Sequence, residues 1–237
     1  MKQFLQDKKY LLILLLGALF IIKIPQEGPR FIFWVLCGII VAASCDFFVK
    51  RFFSKQKALI KSAVISGFIV SGIIDYNQPW FILVIFSVLA IFSKHVIRFK
   101  GKHIFNPANF GLFAASLFGI PLTWNIESNI YLIIPIGIYL AFSLKKIPHI
   151  LGFLIFFAGL LIAKGVNPFL LVNWFFIFIM LIEPKTSGFG NIRGFLFGSI
   201  AAITAFLIYT FFPGYDFFIG SLFIANLFNP LLERIKR

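Results

Sequence analysis

The sequence predicts an all-α, polytopic membrane protein of about ten transmembrane helices forming a single integral membrane domain over residues 1–237, and three observations carry that expectation. The first is composition: 60% of the residues are hydrophobic, 13% are charged and the mean hydropathy is +0.99, against roughly 45–50% apolar and 25% charged in a soluble globular domain. That surplus of apolar surface needs lipid to bury it. The second is segmentation into apolar runs of near-spanning length, given that a helix needs ~20 residues to cross the hydrocarbon core. The third is the placement of Lys and Arg at the ends of those runs.

Taken in order, the first run follows Lys8 and Lys9 and extends through Tyr10 to Ile22. It resembles a secretory signal in outline, but no small-residue cleavage site follows and Lys23-Ile24-Pro25 is not a cleavable pattern, so residues 10–24 are expected as the first membrane helix. The second run, 31–49, holds both cysteines, Cys37 and Cys45. Eight residues apart on a helix, they fall on broadly one face and read as small buried hydrophobes. Two thiols are too few for a Cys-ligated iron–sulfur cluster within one chain. Asp46, at the end of this run, is expected to be solvated near the interface, a place on an ion path being the other reading.

Further runs lie at 58–74, 80–93, 106–120, 129–143, 147–163, 167–182, 192–212 and 216–231. Those at 80–93 and 106–120 are shorter than a full span. Re-entrant or broken helices lining a buried cavity and tilted helices in a compact bundle both fit such lengths.

With the N-terminus in the cytoplasm, 19 of the 22 basic residues fall on that side: Lys2, Lys8 and Lys9, the groups within 50–61 and 94–102, Lys145, Lys146, Lys185, Arg193 and the C-terminal Arg234, Lys236 and Arg237. Only Lys23, Arg30 and Lys164 fall outside, while the outer turns at 75–79, 121–128 and 213–216 carry Asp75, Glu127 and Asp216 and no basic residue. A missed or invented helix would invert every later loop, so the positive-inside rule supports ten helices with both termini cytoplasmic in a plasma or inner membrane. The net charge of +14 is thereby explained without nucleic acid, which needs basic residues gathered on one face. Five helices per half would reverse the second half and give a 5+5 inverted repeat.

Two polar constellations interrupt the apolar sequence. The first is Lys94-His95, then Gly101-Lys102-His103 and Ile104-Phe105-Asn106-Pro107-Ala108-Asn109. Pro107 suits the first turn of a helix and Asn106 its cap, so this reads either as a capped helix alone or as a helix start offering amide donors to a polar or anionic ligand. The string Asn106-Pro107-Ala108 also occurs in aquaporins, where two copies meet in the pore. The single copy here argues against a water channel. The second constellation is Glu183-Pro184-Lys185-Thr186-Ser187-Gly188-Phe189-Gly190. An acidic residue closing a membrane helix is costly unless paired or facing a cavity, and hydroxyls beside glycines suit a phosphate- or ring-binding turn. A solvated cytoplasmic turn is the plain alternative.

From about residue 62 onward these elements resemble, in order, the RnfD/NqrB family, membrane subunits of the Rnf electron-transport complex and of the sodium-pumping NADH:quinone oxidoreductase. Ser62-Ala63-Val64-Ile65-Ser66-Gly67 looks like the family's third-helix opening and Pro79-Trp80 its next helix start. Lys94-His95 and Phe105-Asn106-Pro107-Ala108 match its K-H and F-N-P-A-M elements, and Glu183-Pro184-Lys185-Thr186-Ser187 its D-P-x-T-S element. The ending, Ala225-Asn226-Leu227-Phe228-Asn229-Pro230-Leu231-Leu232-Glu233-Arg234, is similar to M-N-x-x-V-P-L-I-D-R.

The resemblance implies ten helices in an inverted repeat, a flavin-binding membrane subunit, and electron transfer coupled to cation movement. It marks Lys94, His103, Asn106, Asn109, Glu183, Thr186 and Ser187 as cofactor-binding candidates. Two departures qualify it. The family's S-G-A-T threonine, to which FMN is joined covalently, has no counterpart in Pro121-Leu122-Thr123-Trp124-Asn125-Ile126-Glu127, and Arg98 to His103 replace a glycine-rich stretch, with His103 where the family has Asn. The expected cofactor is therefore a noncovalent flavin, riboflavin or FMN, between the helices that carry Asn106 and Thr186. The expected partners are the lipid bilayer and either other membrane subunits of an electron-transport complex or a flavoprotein that the chain anchors. With no nucleophile–base arrangement, no metal-ligand cluster and no nucleotide-binding loop, catalytic and metal-ligating residues are not expected. The competing reading is a channel or carrier for a small polar solute, which inverted repeats with central helix breaks serve equally well.

Overall fold

The computed structural model describes residues 7–54, 60–99, 101–184, 186–187 and 190–234; Lys185, Gly188 and Phe189 of the second polar constellation lie outside the described residues. The described chain is helical almost throughout, with one antiparallel pair of two-residue strands. It divides into two compact units, and the chain crosses between them three times. Unit 1 is Met1–Val96 with Pro107–Leu132, and unit 2 is Ile97–Asn106 with Ile133–Arg237.

In unit 1, α1 (Lys8–Glu27) is capped by Asp7, whose carboxylate accepts from the Lys9 N–H at 3.0 Å. Gly28, at φ 78°, turns the chain, and Pro29 opens α2 (Pro29–Phe48). This Gly-then-Pro order suits a stop followed by a start, because glycine adopts positive φ freely and proline needs no N–H in a first turn. A π-helical turn, Val49–Ser54, extends α2. Next come α3 (Lys61–Ile73), α4 (Trp80–Val96) and α5 (Pro107–Leu117). Helix α3 is central, packing on α1, α2, α4 and α5, while α4 packs on α2 and α5. The α2–α3 crossing is close because a Cβ on Gly67 would sit 2.7 Å from the Gly38 carbonyl oxygen. The indole N–H of Trp34 donates to the Ser71 carbonyl there, at 3.0 Å.

Unit 2 begins with the hairpin β1 (Arg98–Phe99) and β2 (Lys102–His103), Arg98 pairing with His103. Its helices are α6 (Ile130–Ser143, nearly all of it in this unit), α7 (Ile147–Ala163), α8 (Asn191–Phe211), α9 (Phe217–Leu227) and the short α10 (Asn229–Leu232). Helix α7 lies along α8, and α8 along α9. A cluster of Phe rings fills the interior, Phe153 with Phe157 at 5.2 Å and Phe176 with Phe218 at 4.8 Å between centroids. Part of the phenylalanine-rich composition is thus a packed aromatic core.

Among the described residues, three helices are long and apolar enough to cross a membrane by length and composition: Lys8–Glu27, Pro29–Phe52 and Asn191–Phe211. The other apolar helices, at Lys61–Ile73, Trp80–Val96, Ile130–Ser143, Ile147–Ala163 and Phe217–Leu227, are shorter. Large apolar side chains such as Phe33, Ile40, Phe142 and Ile155 stand exposed on helix surfaces, as a lipid-facing surface requires.

One expected helix is not continuous. Residues 167–182 form a 3₁₀ turn (Pro168–Leu170), capped by Asn167, and a π-helical turn (Phe176–Met180). Asn173 separates them, its side-chain oxygen accepting from the Phe176 N–H at 2.6 Å, an arrangement in which an Asn side chain competes with the helix ladder. Residues Phe175 to Ile182 are all buried, so protein covers the π-helical turn, whereas Phe169 and Leu170 of the 3₁₀ turn are exposed.

Candidate functional site

Each unit gathers buried polar groups at helix ends. In unit 1 the focus is Asp46, in the last turn of α2 and fully buried. The expectation that it is solvated is corrected, because three basic groups surround it. Lys50, one turn along, donates to its Oδ2 at 2.6 Å. Lys94, from the end of α4, donates to its Oδ1 at 2.7 Å, and His95 Nε2 lies 2.9 Å from the same oxygen. Lys94 also donates to the hydroxyl of Ser62, at the start of α3, at 2.9 Å. The Asp46 carboxylate thus ties α2 to α4, and Lys94 carries the link on to α3 through Ser62. Asn109, in the first turn of α5, is fully buried within the same unit.

In unit 2 the described residues of the second constellation turn back on Glu183, the Ser187 N–H donating to the Glu183 carbonyl at 3.0 Å. Glu183 Oε2 accepts from the Thr186 hydroxyl at 2.9 Å, and the Glu183 carbonyl accepts from the Ser187 hydroxyl at 2.7 Å. Thr186 and Ser187 are both buried. Lys146 and His149 hold the turn from beneath. The Lys146 ammonium donates to the Ser187 carbonyl and, at 3.3 Å, to its hydroxyl, while His149 Nε2 approaches the same carbonyl at 2.8 Å. A carbonyl only accepts, so the His149 proton resides on Nε2 and Nδ1 is the free acceptor. The His149 ring lies against Gly194, and the His149 carbonyl occupies the space a side chain on Gly198 would need. Burial pushes the Lys146 ammonium down to about 8, opposed by the nearby Glu183 carboxylate.

The hairpin joins this turn. His103 Nε2 stands 3.7 Å from Glu183 Oε1, an ion pair when the imidazole is protonated but too long for a hydrogen bond. Two residues on, the Phe105 ring stacks on Phe223 of α9 at 4.5 Å, and the Ile104 carbonyl accepts from the Asn229 side chain at 3.0 Å. Asn229 also reaches Asn226 Oδ1 at 3.3 Å. Among the described residues, Asn226 Nδ2, Asn229 Oδ1 and His103 Nε2 are buried without a hydrogen-bond partner. Such orphans are uncommon and call for an explanation.

Of the candidates, His103, Glu183, Thr186 and Ser187 form one connected group, and Asn106 ends the same hairpin in the same unit. Lys94 and Asn109 belong to unit 1, where Lys94 serves Asp46. Lys50, Lys146, His149, Asn226 and Asn229 also carry these networks and escaped the sequence reading as site residues. Helical spacing signalled them, Asp46 to Lys50 at i,i+4 and both Lys146 to His149 and Asn226 to Asn229 at i,i+3.

An isoalloxazine ring presents carbonyl, imide N–H and carbonyl along one edge and an extended aromatic face. Its edge needs donors and an acceptor together. The orphaned donor of Asn226 and acceptor of Asn229, beside the Phe105–Phe223 stack, match one carbonyl and the imide N–H of such an edge. Among the described residues there is no group of three or more His, Cys, Asp or Glu that could hold a metal ion. No protein-family model matches the chain, and no curated protein sequence does.

Proposed function

We propose that the chain is a multi-pass membrane subunit, similar to those of the Rnf and sodium-pumping quinone oxidoreductase complexes, that holds riboflavin or FMN noncovalently in unit 2 and passes electrons between partner proteins. One observation carries this reading. Three elements of the resemblance, far apart in sequence, converge in unit 2: the hairpin ending in Phe105-Asn106, the Glu183–Ser187 turn and the Asn226–Asn229 ending. They meet around buried polar atoms with no partner among the described residues.

The bound flavin would supply the redox chemistry, the protein contributing position and electrostatics. Asn226 and Asn229 would orient the ring edge, the Phe105–Phe223 stack would wall one side, and His103 with Glu183 would set the local charge. Lys146 and His149 would keep the Thr186–Ser187 turn in place. Ten crossings with both termini cytoplasmic, in a plasma or inner membrane, follow from the charge distribution. A 5+5 inverted repeat is supported by packing order: the second helix packs on the fourth and the fourth on the fifth in unit 1, and α7 on α8 and α8 on α9 in unit 2 when residues 167–182 take the third place. Coupling of electron flow to cation movement belongs to the same proposal.

The test is a visible spectrum of detergent-purified protein, before and after acid precipitation. A flavin spectrum released to the supernatant is the expected result. Colour retained in the pellet would reveal a covalent attachment, and a colourless protein that takes up no added flavin would overturn the reading. The discontinuous 167–182 segment, buried from Phe175 to Ile182, favours a carrier for a small polar solute as the second reading. Solute flux in proteoliposomes without a redox partner would establish it.

A further inference from the structure

The β1–β2 hairpin comes from the first half of the sequence, yet unit 2 takes it in, and contacts of different chemistry fasten its end there. Lys102 Nζ stands 3.8 Å from Glu233 Oε1 at the surface, and His103 Nε2 stands 3.7 Å from Glu183 Oε1. The Ile104 carbonyl accepts from Asn229, and the Phe105 ring stacks on Phe223. A lysine–carboxylate pair, an amide hydrogen bond and a ring stack keep their character over the pH range in which a histidine gains or loses its proton. The His103 contact is the one among them that changes with that proton.

That contact is half-made. His103 is buried, and its Nε2 has no hydrogen-bond partner among the described residues. A neutral ring sets this nitrogen beside a carboxylate at a distance too long for a hydrogen bond, so nothing offsets its lost water. A protonated ring forms an ion pair with Glu183 where charges attract more strongly than in water, and a closer approach makes it a charge-assisted hydrogen bond. Glu183 is the fixed side, since its Oε2 accepts from Thr186 and its carbonyl from the hydroxyl and N–H of Ser187. The hairpin is the movable side, with two residues in each strand and Gly101 at φ 79° in its turn.

Other charged and titratable groups adjoin the pair. Arg98 pairs with His103 across the strands, and Lys146 and His149 reach the Ser187 carbonyl. Arg193 lies in the first turn of α8 just after the 183–187 turn, and Arg234 follows Glu233. Lys102, next to His103 on β2, belongs to the opposite face of the pleat and serves Glu233. The basic groups oppose a proton on the imidazole and Glu183 favours it. Attraction falls with distance, so the carboxylate in contact decides.

We propose that the Arg98–His103 hairpin is a pH-operated strap. Proton uptake by His103 draws it onto Glu183 and fastens it to the 183–187 turn. Loss of the proton leaves it held by Asn229, the Phe105 stack and the Lys102–Glu233 pair. The strap therefore closes at low pH and loosens as pH rises through the range in which histidine titrates. It rests on contacts within unit 2 and does not require bound flavin.

Hydrogen–deuterium exchange of the full-length protein in detergent tests this, at about pH 6 and about pH 8 with exchange times scaled for the intrinsic pH dependence. The peptides followed cover residues 97–106, where the Ile104 N–H closes the hairpin on the Ile97 carbonyl at 3.3 Å. The wild type is expected to be about tenfold better protected at the lower pH, as one hydrogen bond to a charged group contributes. His103→Gln and Glu183→Gln are each expected to abolish the difference, and Lys102→Gln to keep it. Equal protection of the wild type at the two pH values overturns the proposal without any variant. A difference that survives in folded His103→Gln or Glu183→Gln protein overturns it as well, and so does one that disappears in Lys102→Gln.

Discussion

Lys146 shows what burial does to a single charge. Its ammonium gives up water for the Ser187 carbonyl and hydroxyl, and desolvation draws it down to about 8 from an ordinary value near 10.5. The sign of the linkage follows. Between about 8 and 10.5 the unfolded chain binds more protons at this position than the folded one, so stability rises with pH across that window. Below 8 both states are protonated and the penalty is constant, on the order of 3 kcal/mol for the full shift. Thermal unfolding in detergent is expected to show a midpoint that climbs from pH 8 to 10, and Lys146→Met is expected to flatten the climb. An identical slope in the variant would mean that other groups cause it. At the same scale, Asn229→Ala removes both the anchor on Ile104 and the orphaned acceptor. It is expected to weaken flavin retention about tenfold, as the loss of one buried hydrogen-bonding group does, which fluorescence titration would measure.

Among the elements, the α7–α8 pair depends most on backbone proximity. Gly194 and Gly198, four apart on α8, accept the ring and the carbonyl of His149, and Gly152 on α7 meets the Phe195 carbonyl in return. Small residues at this spacing let helices approach closely enough for van der Waals packing, which is what associates helices in lipid. Gly198→Val forces the two backbones apart and is expected to cost about 1–3 kcal/mol or more, as overpacking does. Gly159→Val, on the open side of α7 with nothing within 4 Å, is expected to be tolerated. Unfolding midpoints of the two variants in the same detergent distinguish them. Since His149 also holds the Ser187 carbonyl, the Gly198 variant is expected to disturb the 183–187 turn as well.

For the whole molecule, the three crossings between units, at Val96–Ile97, Asn106–Pro107 and Leu132–Ile133, place the hairpin of one half of the sequence in the compact unit of the other. Cutting the chain between halves is therefore expected to separate His103 and Phe105 from their partners in the second half. The topology proposal is checked by reporter fusions: cytoplasmic reporters are expected to be active at both termini and in the loop holding Lys145, and inactive near Asp75 and Glu127. Activity near Asp75 would remove the even count of helices on which the charge argument rests.

Helical character, nine of the ten helical segments and their order were legible in the sequence, because apolar runs of this length have few ways to satisfy their backbone in lipid. The 147–163 run, for instance, matches α7 at both ends. Local rules could not foresee the break at Asn173, where a side-chain acceptor and complete burial prevail over an apolar pattern that reads as a plain helix. The convergence of His103 with Glu183, and of Ile104 with Asn229, was equally hidden, since sequence order says nothing about which helix ends meet. Asp46 looked like a solvated interfacial acid for the same reason. Spacing revealed its neighbour Lys50, but only the folding of α4 beside α2 brought Lys94 and His95 onto it. Sequence alone determined what must leave water, because burial of apolar surface is additive along the chain; tertiary structure decided which polar groups share a site, because pairing depends on distances between helices that no local pattern encodes.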